Sequence, residues 1–308
     1  TAQPAPRFLK PGIDPGDRPA VGDFVWISNA VPPTIEQVLP RRSTLSRSAA
    51  GERHLRQVIA TNIDTVMVVC GLDGDFNPAR IERYFVLIEG SGAKAVVVLT
   101  KADLAADAQA MTEQLKARMP AGTEIHAINA KTGFGVDALL AHLGPGSSTV
   151  LVGSSGAGKS TLTNTLLGEA RQSTQAVRAN DSRGRHTTTY RSLIMLPSGG
   201  CLIDTPGMRE VKLTGDESFD GGQFDDIEEL AGECRFGDCS HLAEPSCAVR
   251  AALDDGRLDP ERWHSYLKLR DELAAAAESL EAQLRRKSES RVLTKALGKR
   301  LDEKYGRH

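Results

Sequence analysis

The chain has 308 residues and a mass of 33.0 kDa, with 40% hydrophobic residues, 25% charged residues and a net charge of −2. This is the make-up of a globular protein of two or three domains, and it excludes disorder over the whole length. The longest apolar runs, such as Ala95 to Leu99, fall far short of the roughly 20 residues a membrane-spanning helix requires.

Charge is unevenly spread. Residues 285–308 hold nine Lys or Arg against three acids, Arg41, Arg42, Arg47, Arg53 and Arg56 form a second basic cluster, and 215–233 is acidic. Such basic patches bind phosphate backbones or simply face solvent. The amino terminus has neither an apolar core nor a cleavage site, so no secretory signal is expected and the protein is expected in the cytoplasm. With no initial Met, it is expected to be trimmed from a longer chain. Five cysteines, an odd number, argue against a disulfide framework. Cys70 and Cys201 sit in apolar runs and read as buried small hydrophobes.

The first sixty residues are rich in Pro and Gly. Two strand-like runs, 23–28 and 34–40, predict a small β module, short for a complete barrel. From residue 63, apolar β-branched runs at 65–72, 94–101, 124–129, 148–153 and 200–205 alternate with helical patterns at 79–89, 105–119, 136–143 and 159–168. Near-continuous Val, Ile and Leu suit strands of a parallel sheet buried on both faces. Their alternation with helices predicts βαβ units in a three-layer α/β domain. Beyond 225 the pattern is helical. Trp263, Tyr266, Leu267, Leu273, Ala277, Leu280 and Leu284 recur at steps of three and four, predicting one long amphipathic helix packed on the body. The expected division is a β module over 1–62, an α/β domain over 63–218 and a helical domain over 219–308.

The strongest motif is GSSGAGKS, Gly153 to Ser160, set between a strand and a helical pattern. It fits the phosphate-loop spacing. Glycines there let the backbone N–H groups of Gly153, Ser154, Ser155, Gly156, Ala157 and Gly158 curl round phosphates. Lys159 supplies positive charge to the β- and γ-phosphates and Ser160 offers a hydroxyl to Mg²⁺, with Thr161 next in the helix. IDTPG at 203–207 supplies a second carboxylate: Asp204 is expected to reach Mg²⁺ through water, and the Gly207 N–H to sense the γ-phosphate.

LTKADL, with Thr100, Lys101, Ala102 and Asp103 at a strand end, resembles the guanine-recognition motif Asn-Lys-x-Asp. The Asp103 carboxylate is able to accept from guanine N1–H and the 2-amino group, a donor pair that adenine lacks. Thr100 stands where Asn is usual. NAKTG, with Asn129, Ala130 and Lys131, resembles the accompanying loop, where a backbone N–H meets guanine O6. Both base loops precede the phosphate loop, the reverse of the ordinary order. The domain is therefore predicted to be circularly permuted, with the segment after Asp204 leading directly into the carboxy-terminal region.

Cys234, Cys239, His241 and Cys247 have the spacing C-x4-C-x-H-x5-C. Three thiolates and an imidazole make a closed tetrahedral set for one structural Zn²⁺. His142 and His264 have no such company and read as surface or core histidines.

Taken with GRHTTT at 184–189 and CRFGDCSHLAEPSCAV at 234–249, the permuted order closely resembles the RsgA (YjeQ) family, the circularly permuted GTPases that depend on the small ribosomal subunit. VGDFVWI and LPRRSTLSR resemble the end of that family's amino-terminal OB-fold. The resemblance implies a partial OB-fold β-barrel, a permuted P-loop GTPase domain of α/β class and a zinc-binding helical domain with a basic tail. It implies GTP or GDP with Mg²⁺, and the small ribosomal subunit, RNA and proteins, as partner in late assembly. A monomer without membrane association is expected.

For catalysis, Lys159, Ser160 and Asp204 are joined by Thr188, one of the threonines at 187–189, on Mg²⁺ in the GTP state, and His186 is a candidate group in cis. Met208 follows DTPG where Ras-type enzymes carry a water-orienting Gln. The histidine that many family members carry about eight residues after DTPG is missing from MREVKLTGDES. Slow intrinsic turnover, on the order of 10⁻³ to 10⁻² s⁻¹, is expected. Two other classes stay open: a GTP-dependent switch for a protein partner without RNA binding, and an ATPase, against which Asp103 argues.

Overall fold

The computed structural model of the chain describes residues 2–10, 13–48, 56–168, 192–205 and 213–278, less 216, 218 and 220, together with 281 and 285. In the amino-terminal module, β1 (Gln3–Pro4), β2 (Val25–Ile27) and β3 (Thr34–Val38) form one sheet in the order β1-β3-β2. β4 (Thr44–Ser48) pairs antiparallel with β5 (Arg56–Thr61). These strands are consistent with an OB-fold. The pair β4 and β5 was not expected, because Ser and Arg interrupt its apolar pattern, yet Leu45, Ile59 and Ala60 are buried. Gly22 has φ 97°, and a Cβ there would lie 2.0 Å from the Thr61 carbonyl oxygen, so only glycine lets this turn press on β5. Arg41 is not a free basic group: its guanidinium donates to Asp23 at 2.7 and 2.8 Å and to the Gly16 and Arg18 carbonyls at 2.5 and 2.8 Å.

The second layer system follows as β6 (Thr65–Gly71), α1 (Pro78–Glu89), β7 (Lys94–Thr100), α2 (Ala108–Lys116), β8 (Glu124–Ala127), β9 (Ser148–Val152), α3 (Lys159–Leu167), β10 (Ser192–Met195) and β11 (Cys201–Asp204). The sheet order is β10-β11-β9-β6-β7-β8, parallel throughout except that β10 runs antiparallel to β11. The chain steps outward from β6 to β8. A 3-10 turn, Val136–His142, then brings it back to β9 on the other side of β6. The β9–β6 junction is therefore the switch point at which an open α/β sheet leaves a crevice beyond its strand ends.

Strand alternation gives the sheet two buried faces. Val66, Val68, Cys70, Val97 and Leu99 pack with Ile81 and Phe85 of α1, whereas Met67, Val69, Val96 and Val98 pack with Leu139 and Leu162. This explains the near-continuous apolar runs. α2 is shorter than the pattern over 105–119 suggested, because the Asp107 carboxylate accepts from the Ala110 N–H at 2.9 Å and caps the helix there. β10 is too short to show a period. Cys201 is only half-buried, beside the exposed Met195 at 3.2 Å between sulfurs, which corrects its reading as a core residue.

α4 (Asp225–Gly232), α5 (Ala248–Asp254) and a helix over 260–278, α6, pack on the α1 side of the sheet. Phe224, Ile227, Val249, Ala252, Leu258 and Leu269 join the same apolar cluster as Ile81 and Phe85. At the centre of this contact lies Glu82, fully buried. It accepts from Arg118 Nε at 2.8 Å, Arg262 Nη1 at 2.9 Å and Ser265 Oγ at 2.7 Å. Arg262 also clamps Asp226 at 2.6 and 2.7 Å, and Arg83 pairs with Glu272 at 2.6 and 3.0 Å. The inner stripe of α6 therefore adds Arg262, Ser265 and Leu269 to Trp263, Tyr266 and Leu273, which pack half-buried against the same cluster as expected. Ala277, assigned to the apolar face by spacing, is exposed, and Leu280 and Leu284 lie outside the described residues.

Candidate nucleotide site and metal centre

The loop 153–158 leaves β9 at the carboxyl edge and turns into α3. Gly153 has φ 145°, and a Cβ there would lie 2.2 Å from the Val69 carbonyl oxygen of the neighbouring strand. Lys159 curls back into the loop, its Nζ donating to Gly153 O at 2.8 Å and Ser154 O at 2.6 Å. Burial pushes this ammonium down to about 8, against the upward pull of Asp204 and Asp75. A buried cation beside a glycine cradle that no Cβ could enter fits an anionic ligand. Ser155 and Gly156 are exposed, Ala157 is buried, and Ser160 and Thr161 are half-buried in the first turn of α3.

Asp204 ends β11 at 5% exposure, in register with Leu151 of β9. Thr205 Oγ1 donates to Leu151 O at 2.8 Å, fixing where the chain departs. On the other side, Thr100 ends β7 fully buried, with its hydroxyl donating to Ala157 O at 2.5 Å. That bond ties the base-type loop to the phosphate-type loop. Gly158 leaves room for it: a Cβ there would sit 3.0 Å from Thr100 Oγ1. Lys101 is left-handed at φ 57°, and Asp103 is exposed in the 3-10 turn Ala102–Leu104. The Ala102 N–H donates to Ile128 O at 3.1 Å. Asn129 Oδ1 accepts from the Lys131 and Thr132 N–H groups at 2.9 and 3.2 Å, closing a tight turn, and the Ala130 carbonyl accepts from Thr165 Oγ1 of α3. Loops from β7, β8, β9 and β11 thus share one edge.

A fifth loop, 72–77 after β6, escaped the sequence reading. Asp73 Oδ2 lies 2.6 Å from Lys101 Nζ, and Asp75 accepts from Ser154 Oγ while pairing with Arg80 at 2.6 Å. Against the upward push of burial, the Lys101 ammonium holds the Asp73 carboxyl below the usual carboxylate range. The only signal was Asp-Gly-Asp at the end of a buried strand, which reads as an ordinary turn. Gly207, Met208, His186 and Thr187 to Thr189 lie outside the described residues.

In the 234–247 segment, Cys234 Sγ is 3.9 Å from Cys247 Sγ, and His241 Nδ1 is 3.5 and 3.4 Å from those two sulfurs. Cys239 completes the group. With Zn–S about 2.3 Å and Zn–N about 2.0 Å, tetrahedral ligand atoms stand roughly 3.5–3.8 Å apart. The donor set therefore fits a closed Cys₃His ion. His241 and Ser246 take left-handed φ values of 60° and 61°. The turn between them is held by Glu244, which accepts from the Ser240, Leu242 and Ala243 N–H groups at 3.0 Å each. The His241 ring meets Trp263 edge-on at 5.7 Å, and Trp263 stacks on Tyr266 at 5.5 Å. His264 is exposed. His142 is not solitary as its sequence surroundings suggested: its Nε2 is 2.9 Å from Glu124 Oε2, because the turn it ends meets β8.

A family model described as RsgA GTPase matches residues 38–214. A protein named small ribosomal subunit biogenesis GTPase RsgA from Xanthomonas euvesicatoria pv. vesicatoria (strain 85-10) is 58% identical over 282 residues, 91% of this chain and 76% of that protein. Its namesake from Xanthomonas oryzae pv. oryzae (strain MAFF 311018) is 56% identical over the same shares. Among solved structures, YjeQ from Thermotoga maritima superposes with a TM-score of 0.56 at 27% identity, covering 83% of this chain and 85% of that one. YloQ, described as a circularly permuted GTPase, gives 0.54 at 26% identity, covering 83% and 81%.

Proposed function

Because the chain belongs to the RsgA GTPase family, we propose that it binds GTP with Mg²⁺ at the carboxyl edge of its sheet and hydrolyses it on the maturing small ribosomal subunit. Membership makes it a GTP hydrolase of small-subunit biogenesis. The observation that carries the site assignment is the convergence of Lys159, Asp204 and the Asp103 loop on one sheet edge, despite the permuted chain order.

The amides of 153–158 and the Lys159 ammonium hold the phosphates. Ser160, Asp204 and Thr188 would hold Mg²⁺, which supplies charge neutralisation at the phosphate oxygens. Asp103 reads the guanine donors, Lys101 lies along the base, steadied by Asp73, and the Ala130 N–H meets O6. Thr100 replaces the usual Asn by keeping the tie to Ala157. Cys234, Cys239, His241 and Cys247 would hold one Zn²⁺ in a purely structural role. The protein works as a cytoplasmic monomer, meeting ribosomal RNA and proteins through its β module and basic tail. Among the described residues no helix is long and apolar enough to cross a membrane.

The test is GTP turnover by free protein and by protein with purified small subunits. Stimulation of at least tenfold is expected, and equal rates would overturn the reading. Subunit association that weakens steeply with salt marks RNA contact; weak salt dependence marks a switch for a protein partner instead. Asp103→Asn should exchange guanine for xanthine preference, and unchanged GTP binding would remove Asp103 from the site.

A further inference from the structure

The amino edge of the sheet, opposite the nucleotide edge, carries a second group of ligand-type side chains. Glu124 and His126 are two apart on β8 and so project from the same strand face. His142 closes the 3-10 turn that returns the chain to β9, and its backbone carbonyl accepts from Thr149 Oγ1 at 2.8 Å. His142 Nε2 and His126 Nε2 lie 2.9 and 3.6 Å from one oxygen, Glu124 Oε2. All three ligand atoms fall within 4.8 Å of one another. Ligands at about 2.0–2.2 Å from a tetrahedral ion stand roughly 3.3–3.6 Å apart, so the His126–Glu124 distance suits a shared cation, and the His142–Glu124 hydrogen bond has to open slightly to admit one.

The arrangement leaves a polar atom unexplained. His126 Nε2 is shielded from water and has no hydrogen-bond partner. It faces a carboxylate oxygen at a distance too long for a hydrogen bond. A buried, unpaired ring nitrogen of this kind has lost its water without a replacement bond, and a cation between it and Glu124 would supply one.

We propose that Glu124, His126 and His142 form a second metal site, binding Zn²⁺ or a similar transition-metal ion through two imidazole nitrogens and one carboxylate oxygen. Two imidazoles with a single carboxylate favour such ions over Mg²⁺ or Ca²⁺, which prefer oxygen ligands. Three protein ligands leave a fourth position for water, and the absence of thiolate makes this site weaker than the cysteine knuckle. Lys94 competes for the carboxylate, but it sits on the other oxygen, Oε1, and its side chain is 55% exposed, so it is free to turn to solvent. A bound ion would staple the edge strand β8 to the segment entering β9, the strand that feeds the phosphate loop.

The experiment uses the untagged full chain with one Zn²⁺ already bound by the knuckle, as fixed by metal analysis. Added Zn²⁺ should be retained as a second equivalent and raise the melting temperature by a few degrees. His126→Gln/His142→Gln should retain one equivalent and show no rise. Cys239→Ser should lose the knuckle ion and keep the other. Co²⁺ offered as the second ion should lack the sulfur-to-metal charge-transfer band that thiolate ligation gives. Should the double variant lose its fold, Glu124→Gln is judged on the same stoichiometry. A wild-type chain that holds one equivalent, or a double variant that still holds two, overturns the proposal.

Discussion

At the carboxyl edge, the phosphate loop keeps its form through contacts of the chain alone: the Lys159 ammonium rests on two loop carbonyls, and Thr100 pins Ala157 from the neighbouring strand. In the 234–247 knuckle, two sulfurs and a ring nitrogen face one another at 3.4–3.9 Å, with only the Glu244 turn, the Trp263 ring and the edge of the apolar cluster to hold them. One site is a cradle complete before its ligand arrives, built of glycines and backbone. The other gathers its ligand atoms round the place of the proposed ion. Losing the ligand should therefore leave the first region standing and take the second apart.

The harshest way to break that contrast is to remove the proposed ion. Chelation, or Cys239→Ser, should cost several kcal/mol of local stability, since structural zinc supplies folding energy directly. Trp263 fluorescence should report it, because that ring touches His241. GTP affinity should fall less than about threefold, as RT ln 3 is only about 0.6 kcal/mol. Loss of nucleotide binding in step with the fluorescence change would erase the distinction between the regions.

A smaller effect is expected at the contact that joins them. Glu82→Ala leaves Arg118 and Arg262 buried around a missing carboxylate and should cost about 3–5 kcal/mol in urea unfolding. GTP affinity in the folded variant should change little.

The contrast is sharpened by pH. Burial holds the Lys159 ammonium at about 8 in the free protein, below the ordinary lysine range. GTP phosphates need the charged form, so binding should draw in a proton above pH 8. Affinity should drop about tenfold from pH 7 to pH 9, by the protonated fraction alone. Calorimetry in buffers of different ionisation heat measures the uptake, and a flat profile would show that Lys159 is charged throughout. The least change is expected from Arg42→Ala, whose pair with Asp64 spans 3.6 Å with the arginine 67% exposed; less than about 0.5 kcal/mol should be lost.

Local spacing made the two regions unequally legible. GSSGAGKS and the cysteine spacing carry their chemistry within a few residues, and the buried strands β6, β7, β9 and β11 announce themselves as apolar runs. What stayed hidden was held together by distant partners. Asp75 and Ser154 are far apart in sequence, as are Glu82 and Ser265. The inner face of α6 mixes Trp263, Tyr266, Leu269 and Leu273 with Arg262 and Ser265, which serve a buried carboxylate, so hydrophobic spacing found apolar members, missed the polar pair and ran on to the exposed Ala277. His142 looked solitary because its neighbours, Glu124 and His126, reach it only through the return to β9. Arg41 looked like a ligand for phosphate, and its carboxylate partner Asp23 meets it only through the pairing of β2 with β3.

Glu82 also sets a timetable. Its carboxylate is satisfied by Arg118, Arg262 and Ser265, the last two from near the end of the described chain. During synthesis, α1 emerges long before α6, and until α6 arrives this acid has to remain in water or go half-paired. The α1 face of the sheet therefore cannot close until α6 has itself left the ribosome, so its completion comes late in the folding of the chain. A carboxy-terminal truncation before residue 262 should leave a nascent product whose sheet forms but whose α1 face stays open to proteases.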